Sequence, residues 1–179
     1  PFGERLRLQY QRIEEGQEWG QAWESAWFHL QGRIPEKWQE QEVVAHLDFN
    51  GEALIFSPQG DPLQGLTNGS VFGNVTRHTF ILTPKAQGGE PVDLWVEGAA
   101  NSITGINQPS DPPRGTVDRQ GNYLGKVNRM RIARFHRELY ALRLDMELLN
   151  GLLDTVPEFS TRHARIFKSL VESTNGLRD

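Results

Sequence analysis

The sequence contains no cysteine, so a disulfide framework and thiolate chemistry are both excluded. We expect a cytoplasmic protein, because reducing compartments favour such a composition. No run approaches the roughly 20 apolar residues of a membrane-spanning helix, and no charged-then-apolar secretion signal opens the chain. We therefore predict no membrane partner. Because the chain begins with Pro1 rather than methionine, we also expect it to be a piece of something longer.

Excess positive charge is also missing. The net charge is −4, and the mean hydropathy is −0.56, which is typical of a chain without electrostatic bias toward nucleic acid or anionic membranes. One basic cluster stands out, but Phe135 is the only aromatic residue interleaved with it: Lys126, Arg129, Arg131, Arg134 and Arg137. We interpret this cluster as a solvated junction between a strand and a helix and predict no nucleic-acid partner.

What the sequence does contain is a series of short apolar runs separated by Gly, Pro and Asn. With 179 residues, of which 37% are hydrophobic, the chain can form one core and a small appendage. The spacing predicts a mainly β fold, an antiparallel β-sandwich of jelly-roll or galactose-binding-like type. The predicted strands are Ala26–Ile34, Glu42–Phe49, Glu52–Ser57, Val75–Thr83, Pro91–Ala99 and a last one within Asn122–Phe135.

The dipeptide Asn50-Gly51 predicts a tight hairpin between two of these strands, because primed turns need positive φ at both central residues. Glu52–Ser57 would then be the return strand. Both of its faces are apolar, which indicates a central strand covered on both sides.

Three segments follow from this pattern. Residues 1–24 are polar, and glycines interrupt the four-residue spacing of Trp19, Trp23 and Trp27, which predicts an irregular N-terminal arm that lays tryptophans on the sandwich. Residues 25–137 form the β-sandwich domain. Residues 138–179 form an α-helical hairpin, with an apolar period of three and four after His136 and Ser160 as the N-cap of the second helix.

Candidate metal and catalytic residues are few. His46 and Asp48 form an H-x-D pair on one strand face, but two ligands are too few for a structural zinc site, so we predict no metal in this chain. Asp93 and Glu97 also share a strand face, and we interpret them as solvated rather than as a glycosidase pair. The remaining histidines form no recognisable motif: His29, His78, His136 and His163.

The five tryptophans are the remaining candidates for a binding role. Flat aromatic rings stack on sugar rings, but they are also ordinary packing residues. Trp95 alternates with Val92, Leu94 and Val96 and is predicted to be the exposed one. Trp95 and Trp38 are therefore the candidate carbohydrate-binding residues.

Several separated blocks carry a family resemblance when taken in order. They are Trp19-Gly20, Trp23, Trp27-Phe28, Ile34-Pro35-Glu36-Lys37-Trp38, Asn50-Gly51-Glu52-Ala53-Leu54-Ile55-Phe56, Gly60-Asp61-Pro62-Leu63-Gln64-Gly65-Leu66 and the run from Gly88 to Asn101. This order resembles the N-terminal domain of glycoside hydrolase family 38 α-mannosidases of the bacterial and yeast-vacuolar kind. The segment Ser102–Gly125 follows no block of that family, which leaves the role of this loop open.

The resemblance implies a non-catalytic β-sandwich and a helical connector that precede a zinc-dependent retaining catalytic domain. It implies that the parent protein is an α-mannosidase acting on mannose-containing oligosaccharides, with zinc in the catalytic domain as its cofactor. None of the family's metal or nucleophile residues falls within this chain, so we predict that the chain alone is inactive. The partner would be the catalytic domain of the same polypeptide, with a homo-oligomer also possible.

The alternative is a stand-alone carbohydrate-binding module that stacks sugars on Trp95 or Trp38. A third hypothesis, a protein-interaction sandwich without any connection to sugars, is disfavoured only by the resemblance.

Overall fold

The computed structural model describes residues 2–67, 76–101 and 124–177. These residues form two compact units, the sandwich unit Pro1–Phe135 and the helical unit His136–Asp179. The strands of the sandwich unit are β1 (Glu18–Gln21), β2 (Ser25–Arg33), β3 (Val43–Asp48), β4 (Glu52–Phe56), β5 (Pro62–Leu66), β6 (Thr79–Thr83), β7 (Pro91–Ala99), β8 (Leu124–Lys126) and β9 (Arg129–Arg134). Short 3₁₀ helices span Phe2–Arg7 and Glu36–Trp38, and the helical unit contains α1 (Arg137–Leu153) and α2 (Thr161–Gly176).

The strands form two main sheets, and every strand pair is antiparallel. One sheet has the order β2-β7-β4-β5 and the other has the order β6-β3-β9, while β1 pairs with β8 in a small separate ladder. Their inner faces share one core, because alternate residues of each strand point inward. The buried members of this core are Phe28, Ala45, Leu47, Phe49, Ala53, Ile55, Leu66, Leu94, Val96 and Val127. The predicted antiparallel sandwich is therefore confirmed.

The predicted hairpin at Asn50-Gly51 is wrong. β3 and β4 do not pair with each other but lie in different sheets, so the chain crosses here from one layer to the other. Only Asn50 has positive φ, at 59°, and its side chain donates to the Leu124 carbonyl at 2.6 Å. Residue 51 must be glycine because its backbone lies close to β7: a Cβ there would be 2.1 Å from the carbonyl oxygen of Ala99. β4 is nevertheless central, as predicted, between β7 and β5.

The N-terminal arm is more ordered than predicted. Its first residues form a 3₁₀ helix, and Glu18–Gln21 forms β1. Trp19 of the arm packs edge-on against Phe28 of the core, as predicted for a tryptophan of the arm. The arm also covers the sheet with another ring, because Phe2 packs against Trp27 and Phe56 on the outer face of the four-stranded sheet. The ring centroids of these pairs lie 5.6 and 5.1 Å apart. The second face of β4 is thus covered by the start of the chain.

The end of the sandwich also differs from the prediction. Instead of one strand within Asn122–Phe135, the described residues form β8 and β9, separated by Val127 and Asn128. Val127 is fully buried, and Asn128 donates its backbone N–H to Asp48 at 2.8 Å. The beginnings of the predicted strands at Val75 and Asn122, and most of the loop Ser102–Gly125, lie outside the described residues.

Both predicted helices are present. Ser160 caps α2, and its Oγ accepts the backbone N–H of His163 at 3.1 Å. α1 carries apolar side chains on two faces that lie roughly 160° apart at 100° per residue. One face is half-buried and comprises Leu142, Met146, Leu149 and Leu153; the other is exposed and comprises Tyr140, Leu144, Leu148 and Leu152. Leu142 and Met146 line a groove together with Leu170 of α2, so the half-buried face is the one that faces the second helix.

Candidate functional site

Trp95 is enclosed by residues that come from three parts of the chain. Its ring stacks on the His29 imidazole at a centroid distance of 3.9 Å and an interplanar angle of 6°. Tyr10 contacts it edge-on at 5.7 Å, and the Arg5 guanidinium lies 4.7 Å from its centroid. Trp95 is consequently 6% exposed. The prediction that it is the exposed tryptophan is wrong, because the arm covers the face that strand alternation assigns to solvent.

Each group around Trp95 has a partner of its own. His29 Nε2 lies 2.8 Å from the Asp93 carboxylate. Arg5 is 6% exposed and donates to the carbonyls of Phe2 and Pro58 at 2.8 and 3.2 Å. Burial raises the pKa of Tyr10, and the nearby Arg5 charge opposes that shift. The arrangement holds the arm against the sheet, and it presents no nucleophile or paired acid to a substrate.

Trp38, the second candidate, closes the short 3₁₀ helix that follows β2. It is partly buried and packs against a small apolar cluster formed by Ile34, Val43 and Ala86. The structure therefore does not bring Trp38 and Trp95 together as one platform, since each belongs to a different packed group.

The H-x-D pair lies on β3 beside His78. The His46 and His78 rings are 6.3 Å apart, and His78 Nδ1 lies 3.8 Å from the Asp48 carboxylate. Arg129 contacts His46 at 3.3 Å. Burial lowers the pKa of both histidines; for His46, the charges of Arg129 and His78 lower it further, while Asp48 opposes the shift. Because the positively charged guanidinium of Arg129 contacts the His46 imidazole, this group is a poor site for a cation.

Across the described residues, no group of three or more His, Cys, Asp or Glu side chains could hold a metal ion. Asp93 and Glu97 are four residues apart on β7, which separates their Cα atoms by about 13 Å at strand spacing. The two carboxyl groups of a glycosidase lie roughly 5–10 Å apart and face the same substrate. The Asp93 carboxylate is instead engaged with His29 Nε2 at 2.8 Å, which agrees with a solvated ion pair on this face.

A cavity of about 360 Å³ opens between the sheets beside β2 and β9. Its walls are mainly apolar and include Leu30, Leu47 and Met130. The charged side chains at its rim are already engaged, because Arg131 pairs with Glu15 and His29 with Asp93. Its shape can accept an apolar group, but its lining offers no catalytic constellation.

The exposed tryptophan is Trp23 of the arm, whose exposure the sequence did not predict. It lies in the turn between β1 and β2 with 68% of its surface accessible. The available signal was its local context, because Gln21, Glu24 and Ser25 around it are polar whereas the neighbours of Trp95 are apolar.

Comparison with known proteins gives consistent results. The family model described as "Alpha-mannosidase, jelly roll domain" matches residues 1–138. The chain is 27% identical over 169 residues to Alpha-mannosidase 2C1 of Mus musculus, covering 90% of this chain and 15% of that protein. It is 29% identical over 159 residues to Alpha-mannosidase 2C1 of Homo sapiens, covering 85% of this chain and 14% of that protein. The chain thus spans about one seventh of the length of these relatives, and the resemblance found in the sequence is confirmed.

Proposed function

Because the chain belongs to the alpha-mannosidase jelly roll family, we propose that it is the non-catalytic N-terminal β-sandwich of a longer α-mannosidase. The parent would be a zinc-dependent retaining glycoside hydrolase that removes α-linked mannose from oligosaccharides. The observation that carries the proposal is the family match, which covers the whole sandwich. The cytoplasmic location that the cysteine-free composition favours remains a prediction.

Zinc chemistry would belong to another part of that polypeptide. The described histidines and carboxylates do not fit a zinc site, since His46 faces Arg129 and no third ligand joins Asp48 and His78. We therefore derive no catalytic step through zinc from the residues of this chain.

The proposed role of the chain is structural, and its proposed partner is the catalytic domain of the same polypeptide. The exposed face of α1 supports this proposal, because a helix that is apolar on two opposite faces is typical of a helix with neighbours on both sides. Leu148 on this face is 66% exposed. A second copy of the chain is the alternative partner for this face of α1. Sedimentation of the purified chain distinguishes the two partners, because a monomer favours the catalytic domain.

A hydrolysis assay tests the inactive role. The chain, supplied with zinc, is expected to give no turnover of an aryl α-mannoside, whereas a full-length α-mannosidase containing it turns the substrate over. His46→Ala provides the control. Turnover by the chain itself that disappears in His46→Ala would contradict the proposal.

The carbohydrate-binding alternative, with Trp95 or Trp38 as the stacking ring, is also testable. Burial of Trp95 under His29 and Tyr10 weighs against it, because a sugar would first have to displace the arm. The alternative requires a change in tryptophan fluorescence on addition of mannosides that is lost in Trp95→Ala or Trp38→Ala.

A further inference from the structure

Trp23 has a backbone conformation that is unfavourable for a residue with a side chain. Its φ is 73°, in the left-handed region where a Cβ is crowded and glycine is the relaxed choice. Packing gives no compensation, because 68% of the residue is exposed and no ring contact in the described part of the chain involves it. Non-glycine residues that persist in such a conformation cluster at functional sites.

The backbone that carries Trp23 is held firmly. Its N–H donates to the Ala100 carbonyl at 2.8 Å, and the Ala100 N–H donates to the Glu24 carbonyl at 2.9 Å. These two bonds tie the turn to the end of β7, in the middle of the four-stranded sheet. The ring is therefore presented from a fixed point and not from a loose loop.

The residues at this end of β7 and of its two neighbouring strands carry hydrogen-bonding side chains. Ala99 pairs with Ser25 on one side and with Glu52 on the other, which places all three strands' ends within about 10 Å at normal strand spacing. Asn101 Nδ2 donates to Glu52 Oε2 at 2.8 Å, and the Glu52 N–H donates to Asn101 Oδ1 at 3.3 Å. Glu24, which follows Trp23, accepts the backbone N–H of Gln21 on its carboxylate at 2.8 Å. The backbone of Trp23 is therefore bonded to the residue next to Asn101, and an amide and two carboxylates belong to residues at this end of the sheet.

We propose that Trp23, with Glu24, Glu52 and Asn101, forms a contact site for one hexopyranose unit of an oligosaccharide. A sugar ring offers an apolar C–H face for the indole and hydroxyls for the amide and carboxylates. The core of a protein–protein interface is instead depleted of charged residues. An aromatic cage for a cationic ligand uses several rings, whereas one ring stands here. The choice of a mannose-containing oligosaccharide rests on the proposed function.

The experiment is a titration of the 179-residue chain with α-linked mannotriose and, as a second arm, cellotriose. Binding is followed by ligand-observed NMR. A single stacked sugar predicts a dissociation constant of about 1–10 mM. Three variants are compared with the unmodified chain: Trp23→Gly, Trp23→Phe and, as a matched control, Phe159→Ala, whose ring is 98% exposed but lies in the helical unit.

Trp23→Gly separates function from stability, because it removes the ring and relieves the strained φ together. We expect an unchanged or higher melting temperature with at least a tenfold loss of mannotriose binding. Trp23→Phe should retain weakened binding, and Phe159→Ala should retain all of it. Equal binding by Trp23→Gly, absence of binding by the unmodified chain, or preference for cellotriose would overturn the proposal. None of these outcomes affects the hydrolysis assay, so the proposed function stands or falls separately.

Discussion

The sandwich unit and the helical unit differ in how far their apolar side chains are buried. In the sandwich, both sheets contribute to one buried core, and the arm covers Trp27 and Trp95 on the outer face of the four-stranded sheet. Neither α1 nor α2 contains a buried residue. The sandwich therefore buries apolar side chains from both of its sheets, whereas the apolar side chains of the two helices stay at least partly exposed.

The largest expected effect comes from shortening one apolar side chain in each unit and comparing the losses of stability. Phe49 is 1% exposed and lies 4.4 Å from the Phe28 ring, so Phe49→Ala is expected to lower the free energy of unfolding of the sandwich by about 3–5 kcal/mol. Leu148→Ala on the exposed face of α1 should change stability by less than about 0.5 kcal/mol. Chemical denaturation followed by circular dichroism measures both.

The same Leu148→Ala change sharpens the comparison when it is made in a full-length α-mannosidase. If the catalytic domain covers the exposed face of α1, the loss of unfolding free energy caused by Leu148→Ala rises toward the roughly 2–5 kcal/mol expected for a buried leucine. Equal, small effects in the chain and in the full-length protein would mean that this face stays open.

A second test concerns the crossover between the sheets. Gly51→Ala would place a methyl group against the Ala99 carbonyl, and because the atoms it meets are backbone rather than a flexible side chain, a strand would have to move. We expect a loss of about 3 kcal/mol, at the upper end of overpacking effects. Gly32→Ala is the control, since nothing lies near a Cβ at that position of β2. Similar melting temperatures for the two variants would contradict the close approach.

The smallest expected effect is a pH dependence confined to the sandwich. Burial lowers the pKa of His46 and His78 in the folded state, so the unfolded chain binds protons first as the pH falls through about 6.5. Stability is complete above that pH and decreases below it. Replacing both histidines with glutamine should flatten the melting temperature between about pH 7.5 and 5.5 relative to the unmodified chain. An unchanged slope would show that other groups control the acid response.

Local patterns in the sequence were sufficient for five of the strands, the two helices and the Ser160 cap, because these depend on periodicity and short-range hydrogen bonds. They did not predict β1 or β5, which are short and lack a clear alternating pattern. Asn50-Gly51 was misread since a positive φ at asparagine suits a hairpin and a crossover equally, and only the distant partners of β3 and β4 distinguish them. Trp95 was misread for a similar reason. Alternation gives the side of the sheet to which a residue points, but not that the arm returns to cover that side.

One contact of the arm has a consequence for solubility. β9 is an edge strand of its sheet, and edge strands with free N–H groups recruit strands from other molecules. The Glu15 carboxylate accepts the backbone N–H of Met130 at 2.8 Å and also binds Arg131. These contacts lower the pKa of Glu15 to about 2, so the carboxylate stays charged at any physiological pH. The arm thus occupies the N–H of Met130 and keeps a negative charge at this edge, both of which oppose the pairing of β9 with a strand of another copy.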